Sequence, residues 1–512
     1  MKRINYYIYF LLFIVCFIVY NGVLSHVPFY HEQHHLFLFS KAYFLNTIHS
    51  EGFLSYLTNF IIQFFYYPWL GSFILALSVS STYLLTALSI KRLTKHIDYL
   101  HLGLLPTSYL FLQTLSVDYN FSEVVATCIV LKAIFIASWL PGKWIKNLMG
   151  ISFCLLLALI ISPQIIGLSL LLIALGCLSA HLGRSFNPKT SIIISLLSLI
   201  CFTSADFYLF IHKYNMKERR MIQAQKSAQE KQWTEVLETT EKYFKAGHAN
   251  HLMMYYHNMA LFHSGKMIDR LFDYPQNLGV ESLFLPWKSD SRETEFGHLI
   301  YEELGHWNEA QRWAFEAMVV WGETAPHLTN LIKYNIKIGR KEVAQKFINI
   351  LKQSLFYSDT AEKLERELTN DTKPTENELT EVQFINILNI KPELIRLCNQ
   401  NPHNQMAFEY LMSSFLLSNQ VSHFAENLYR MKKFNYPKMP ACFEEALYLY
   451  KLGKSEAFEK MKLTISSETE QRFREYYQLY NQGDTQQLKD RFGHTYWFYL
   501  HFISPYGNKI IE

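Results

Sequence analysis

The chain has 512 residues, half of them apolar, with 39 Phe, 33 Tyr and a formal net charge of +4. No dense stripe of Lys and Arg runs along it, which argues against a nucleic-acid surface. No Cys-x-x-C occurs, which argues against a cysteine zinc site or a thioredoxin-like motif. The charge is unevenly placed: residues 1–212 carry 11 Lys/Arg against 6 Asp/Glu, and residues 213–512 carry 37 against 38. A membrane-like, slightly basic half therefore precedes an ordinary charged soluble half. Both read as helical, so the expected class is all-α: a transmembrane bundle over 1–212 followed by an α-solenoid over 213–512.

Apolar runs of about 20 residues can cross roughly 30 Å of hydrocarbon as helices. Seven are read here, at 5–23, 70–90, 99–117, 121–140, 147–162, 165–182 and 190–211. The first is too long and too uniformly apolar for a signal peptide core and lacks a small-residue cleavage site, so it reads as a retained span. The fifth and sixth are short and separated only by Ser162-Pro163-Gln164, which allows a tight hairpin or a re-entrant pair.

Between the first two runs lies a 24–69 loop, far longer than an ordinary connector. It opens with YHEQHH, which contains His31-Glu32-x-x-His35. On a helix that pattern sets two imidazoles on one face with a carboxylate beside them, the arrangement of zinc peptidases. Such an enzyme needs a third ligand and an edge strand for its substrate. Glu51 is the one ligand on offer and no strand pattern lies nearby, so incidental interfacial histidines rank ahead of a metal site at His31 and His35. The rest of the loop, Leu36–His49 and Phe53–Trp69, is aromatic and low in charge and suits helices lying in the membrane interface.

Basic residues fall at Lys2 and Arg3, after the second run at Lys91, Arg92 and Lys95, after the fourth at Lys143 and Lys146, and after the sixth at Arg184 and Lys189. If every run crosses, all nine share one side, which the positive-inside rule makes the cytoplasm. The N-terminus is then cytoplasmic and the domain from 213 onward periplasmic, in a bacterial inner-membrane protein. Glu32, Glu51, Asp118, Glu123 and Asp206 gather toward the outer face, and only Asp98 lies inside. Acids simply populate outer loops in one reading; in the other they form a site where a carboxylate acts as a base or holds a divalent cation. Lys132, near the middle of the fourth run, either snorkels or offsets a lipid phosphate or an outer carboxylate.

Seven spans, a first outer loop with two lateral helices, and acids in the first two outer loops resemble the GT-C class of membrane glycosyltransferases. That resemblance implies an acid of the first outer loop acting on an acceptor, with a polyprenyl-phosphate sugar as donor. It would make Glu32 and Asp118 the site acids, with Glu51 and Asp206 behind them. The paired acids common in that class are missing.

From 213 to Gly247 the chain has helical periodicity, and Tyr255–Met267 follows as a second helix. Tyr274–Ser291 reads as a packed loop. A repeat then appears: Gly305 and Gly339, Ala310 and Ala344, and Asn419 and Gly453 are each separated by 34 residues. That is the tetratricopeptide period, two antiparallel helices per unit with Gly at the turn and Ala where they touch. TNDTKPTE, at 369–376, breaks the pattern as a possible hinge. Tyr255, Tyr256, Trp307, Trp313 and Trp321 read as packing rather than ligand contacts. Cys398 and Cys442 sit inside helical patterns, which disfavours a disulfide between them.

QFFYYPWLG (Gln63–Gly71), YYHNMAL, LFLPW and WGETAPHLTNLIKYNI together resemble an uncharacterised family of Bacteroidota membrane proteins over nearly the whole chain. The resemblance implies about seven spans and tetratricopeptide-like helices, and no activity. The leading functional expectation is a scaffold that presents a helical-repeat domain to a protein or peptide partner of the cell envelope. The alternative is a GT-C-like transferase using a lipid-linked sugar, and the third reading is a zinc hydrolase.

Overall fold

The computed structural model describes residues 4–507 apart from 141–151, 153–156, 158–159, 183–186, 287–290 and 371–389. Every regular element among the described residues is helical. The chain forms two compact units. One comprises Met1–Arg219 with Glu323–Thr329 and Gln345–Arg366; the other comprises Arg220–Gly322, Asn330–Ala344 and Glu367–Glu512.

In the first unit four helices are long and apolar enough to cross a membrane: α1 (Ile4–Asn21), α5 (Pro68–Thr94), α8 (Pro163–Leu182) and α9 (Pro188–Lys213). Local chemistry sets their ends. Pro68 and Pro188 occupy the first helical turn, where the missing N–H is harmless. Lys95 ends α5 in the left-handed conformation, its N–H donating to the Lys91 carbonyl. Helix α5 is the hub and packs against α1, α8, α6 (Leu104–Gln113) and α7 (Phe121–Ala137). It buries Leu75, Ala76, Val79, Tyr83, Ala87 and Ile90, a spacing of three and four that lines one face. By contrast, α9 leaves Ile193, Leu197, Ile200, Phe207 and Tyr208 exposed, as a lipid-facing helix would.

The third apolar run differs from expectation. Residues 99–103 form a turn, with His101 at φ +47°, and only Leu104–Gln113 is helical. Ten residues span about 15 Å. Polar groups explain the break. Asp98 is buried and accepts from the Leu100 N–H (3.2 Å) and the Ser179 hydroxyl (2.7 Å). His101 lies between the Tyr83 hydroxyl (3.1 Å) and the Ser195 hydroxyl (2.7 Å). The short helix still runs alongside α9: Ser108 donates to Asp206 at 2.7 Å, and Phe111 stacks on Phe210. Its far end reaches α1, where Tyr20 and Thr114 share a 2.5 Å hydrogen bond. The fifth run, 147–162, lies largely outside the described residues, as do Lys143, Lys146 and Arg184.

The long loop folds as α2 (His26–His34), α3 (Lys41–Ser50), α4 (Phe53–Ile62) and a 3-10 turn at Gln63–Tyr66. Residues 35–39 are not helical, and Leu36, Phe37 and Leu38 are buried. Ser40 starts α3 by accepting from the Tyr43 N–H at 3.1 Å.

The run from 213 to 247, which begins in the first unit and ends in the second, is not one helix. It breaks at Lys231 (φ +54°) into α10 (Met216–Gln229) and α11 (Trp233–Lys245). The loop after 274 is packed: Gln276 is fully buried and exchanges hydrogen bonds with Asn258 at 3.0 and 3.2 Å. Consecutive helices neighbour one another, as in α11 with α12 (His251–His263) and α13 (His298–Glu303) with α14 (Trp307–Trp321). Gly305 and Gly339 both adopt positive φ at their turns, and Ala310 and Ala344 are both fully buried. Tyr255, Tyr256 and Trp313 are core residues. Helix Gln405–Leu417 is the most enclosed, with every residue from Met406 to Leu417 buried. Its N-cap is Asn404, which accepts from the Ala407 N–H at 2.9 Å. Asn404→Ala should lower stability by about 1 kcal/mol, read as a lower unfolding midpoint of the full chain in detergent. Cys398 and Cys442 are both free thiols, and Cys442 donates to the Ile268 carbonyl at 2.9 Å. The expected break at 369–376 lies, from residue 371 on, outside the described residues.

Candidate functional site

The most concentrated chemistry in the first unit is around Glu32. Helix α2 stops at His34, and His35 is extended (φ −131°, ψ 127°). The His31/His35 pair therefore does not lie on one continuous helical face. Instead His35 Nδ1 donates to the His31 carbonyl at 2.7 Å and His34 Nδ1 to the Tyr30 carbonyl at 2.8 Å. Both rings thus bond back along the end of the helix, each to the carbonyl four residues earlier. His31 is buried, its Nδ1 has no hydrogen-bond partner among the described residues, and burial lowers its imidazole to about 3. It is a neutral core residue. Among the described residues no three His, Cys, Asp or Glu side chains gather within reach of one metal ion.

Glu32 is 7 % exposed. Tyr357 donates its hydroxyl to Oε1, and Gln33 Nε2 donates to Oε2 at 2.6 Å. The Tyr357 wall is aromatic. Tyr66 meets its ring edge-on at 5.3 Å, and Phe356 stacks on Tyr66 at 5.1 Å. The Phe39 N–H donating to the Gln353 carbonyl at 2.8 Å ties the same two stretches together. Burial in this pocket raises the Glu32 carboxyl, although both hydrogen bonds and the nearby His34 pull it down. Burial also raises Tyr357, with the Glu32 charge adding to it. The pair can share a proton and lock two stretches of chain together, and the carboxylate is closed to solvent.

The other sequence-derived candidates have different neighbours. Glu51 is exposed at the end of α3, its N–H on the Thr47 carbonyl. Asp118 is exposed on the turn between α6 and α7, its N–H donating to Ser116 at 3.3 Å. Asp206, half-buried on α9, accepts from Ser108. Lys132 is exposed on α7.

The second unit carries a feature that the sequence reading missed. A cleft of about 480 Å³ is lined by Leu428, Tyr429, Met431, Phe434, Tyr436, Met439, Tyr450 and Met461, among others. A second hollow of about 240 Å³ shares Tyr429 and Phe434 and adds Arg430 and Lys433. The intervening Leu428–Lys433 turn and the stretch after it carry Arg430, Lys432, Lys433 and Lys438, with Glu426 the one acid on the cleft wall. Lys432, Lys433 and Lys438 are exposed, and so is Tyr429 at 61 %. Three thioethers and four aromatic rings, with Lys432 on the same wall and Arg430 and Lys433 on the adjoining hollow, form an adaptable apolar surface with a basic border. The signal was in the window LYRMKKFNYPKMP, where Met, aromatic and basic residues interleave over 13 positions.

No curated protein and no solved structure matches the chain. A family model does, over residues 1–216 and 191–503, so the chain belongs to the family of unknown function DUF6057.

Proposed function

We propose that this is a multi-pass membrane protein whose second unit holds an acidic segment of a partner protein of the cell envelope. The carrying observation is the Met- and Tyr-lined cleft with its basic border. An apolar cleft rimmed by Lys and Arg favours apolar anchors flanked by Asp or Glu, because the anchors gain by leaving water and the charges guide docking. Met side chains let one cleft accept anchors of several shapes. The pairing of consecutive helices and the 34-residue spacing of Gly305 and Gly339, both at positive φ, support a tetratricopeptide-like array, an architecture that commonly binds peptides.

The sidedness is part of the proposal. The N-terminus is cytoplasmic and the second unit periplasmic. Lys91 and Arg92 in the last turn of α5 and Lys189 in the first turn of α9 support a basic inner face. The hydrogen bonds and stacking that carry 98–114 past α9 to the end of α1 support a third crossing made by a part-helix. A phosphatase fused at the C-terminus should be active, and an inactive, cytosolic fusion would overturn this orientation.

Docking is tested with the full chain in detergent and two labelled peptides, one alternating Glu with Leu and Phe, the other with each Glu replaced by Lys. The acidic peptide should bind at least 10-fold more tightly, and raising the salt to about 0.5 M should narrow the gap as the charges are screened. Combined Lys432→Glu, Lys433→Glu and Lys438→Glu should abolish the preference without lowering the unfolding midpoint. Equal binding of both peptides, or an unaltered preference in the triple variant, would refute the proposal.

A further inference from the structure

A third hollow in the same unit has the opposite character. It encloses about 330 Å³ and is walled by Asp269, Phe272, Glu445, Arg472, Arg491 and His494, among others. That volume is at the small end for ligand sites, and two carboxyl groups, two guanidinium groups, an imidazole and the Cys442 thiol converge on it. Their pairing is uneven. Glu445 is buried, accepts from the Tyr496 N–H at 2.8 Å and meets Arg472 at 3.3 Å. Arg491 pairs with Glu475 at 2.5 Å. A guanidinium has five N–H donors, so one carboxylate contact leaves several to offer. Asp269 is exposed and has no ion-pair partner among the described residues. The hollow thus presents guanidinium donors, one uncompensated carboxylate and an aromatic wall.

We infer that this hollow binds a small zwitterion of the free α-amino-acid class. The ligand carboxylate meets Arg472 and Arg491, the ammonium meets Asp269, and the side chain lies toward Phe272. A simple anion leaves Asp269 uncompensated, and a simple amine leaves the guanidinium donors unused. The zwitterion satisfies both, and charge-assisted hydrogen bonds supply most of the selectivity. The site is separate from the peptide cleft, so a chain that binds no acidic peptide still binds an amino acid if this inference holds.

The test is titration calorimetry on the full chain in detergent with glycine, L-glutamate, L-lysine and L-phenylalanine, and with acetate and ethylamine as half-ligands. At least one amino acid should bind saturably at one per chain, while acetate and ethylamine give no saturable heat over the same range. Asp269→Asn and Arg491→Gln, both at exposed positions, should each weaken that binding at least 10-fold and leave the unfolding midpoint unchanged. Arg472 is avoided because it also holds the buried Glu445. Absence of saturable binding by all four amino acids would overturn the inference. So would acetate binding as tightly as they do, or unchanged affinity in Asp269→Asn.

Discussion

Replacing Arg472 with Met should destabilise the second unit by about 3–5 kcal/mol at pH 8, and by much less at pH 5. The reason is Glu445. Its carboxyl is buried, and burial pushes it up to about 7, even though the Tyr496 N–H and Arg472 both favour the charged form. The folded value lies above the unfolded one, so the folded state holds the proton more tightly and stability must fall as pH rises. The benefit is complete below about 4.5 and is lost as pH passes through about 7, a span worth roughly 3 kcal/mol. Removing Arg472 takes away the charge that makes ionised Glu445 tolerable. At pH 5 the carboxyl is protonated and hardly registers the loss; at pH 8 it is an unpaired buried anion. Arg472 also lies over the Trp497 ring at 5.9 Å, so tryptophan fluorescence can follow the transition. Equal losses at pH 5 and pH 8 would refute this account of Glu445.

The second large effect concerns the first unit. Tyr357→Phe should cost about 1–3 kcal/mol, because it deletes the hydroxyl that satisfies a buried carboxylate. The loss should grow with pH. The Glu32 carboxyl is raised by burial, so its contribution is fully present below about 4.5 and falls as pH rises through its folded value. Glu32→Gln keeps an acceptor for Tyr357 and removes the titrating group. It should therefore flatten the decline of stability above about pH 4.5. Unfolding midpoints of the full chain between pH 4 and 9 give both readings. A Glu32→Gln variant with the wild-type pH profile would show that this carboxyl is not the one titrating.

The long apolar helices were legible because length and hydropathy are local. So were the Gly305 and Gly339 turns, where a left-handed backbone favours glycine. What the sequence concealed was set by partners far away. Hydropathy sees 99–117 as one run, but Asp98 and His101 find Ser179 and Ser195 on other helices and turn the chain before α6 begins. The His31-Glu32-x-x-His35 pattern presumes a helix that continues, and the helix ends at His34. Glu32 reads as an available acid until Tyr357, 325 positions later, is placed against it. The Met-lined cleft was missed because its residues come from two helices, a 3-10 turn and two loops, and no single period marks them.

The return of Gln345–Arg366 to the first unit has a consequence for biosynthesis. Ribosomes add about 5–20 residues per second, so the 325 positions separating Glu32 from Tyr357 take roughly 15–65 s to make. Throughout that interval the nascent 24–69 loop exposes a carboxylate and a set of aromatic rings whose covering segment has not yet been translated. Truncation at the first unit's main boundary would make this transient state permanent, and such a fragment would be an early target for quality-control proteases.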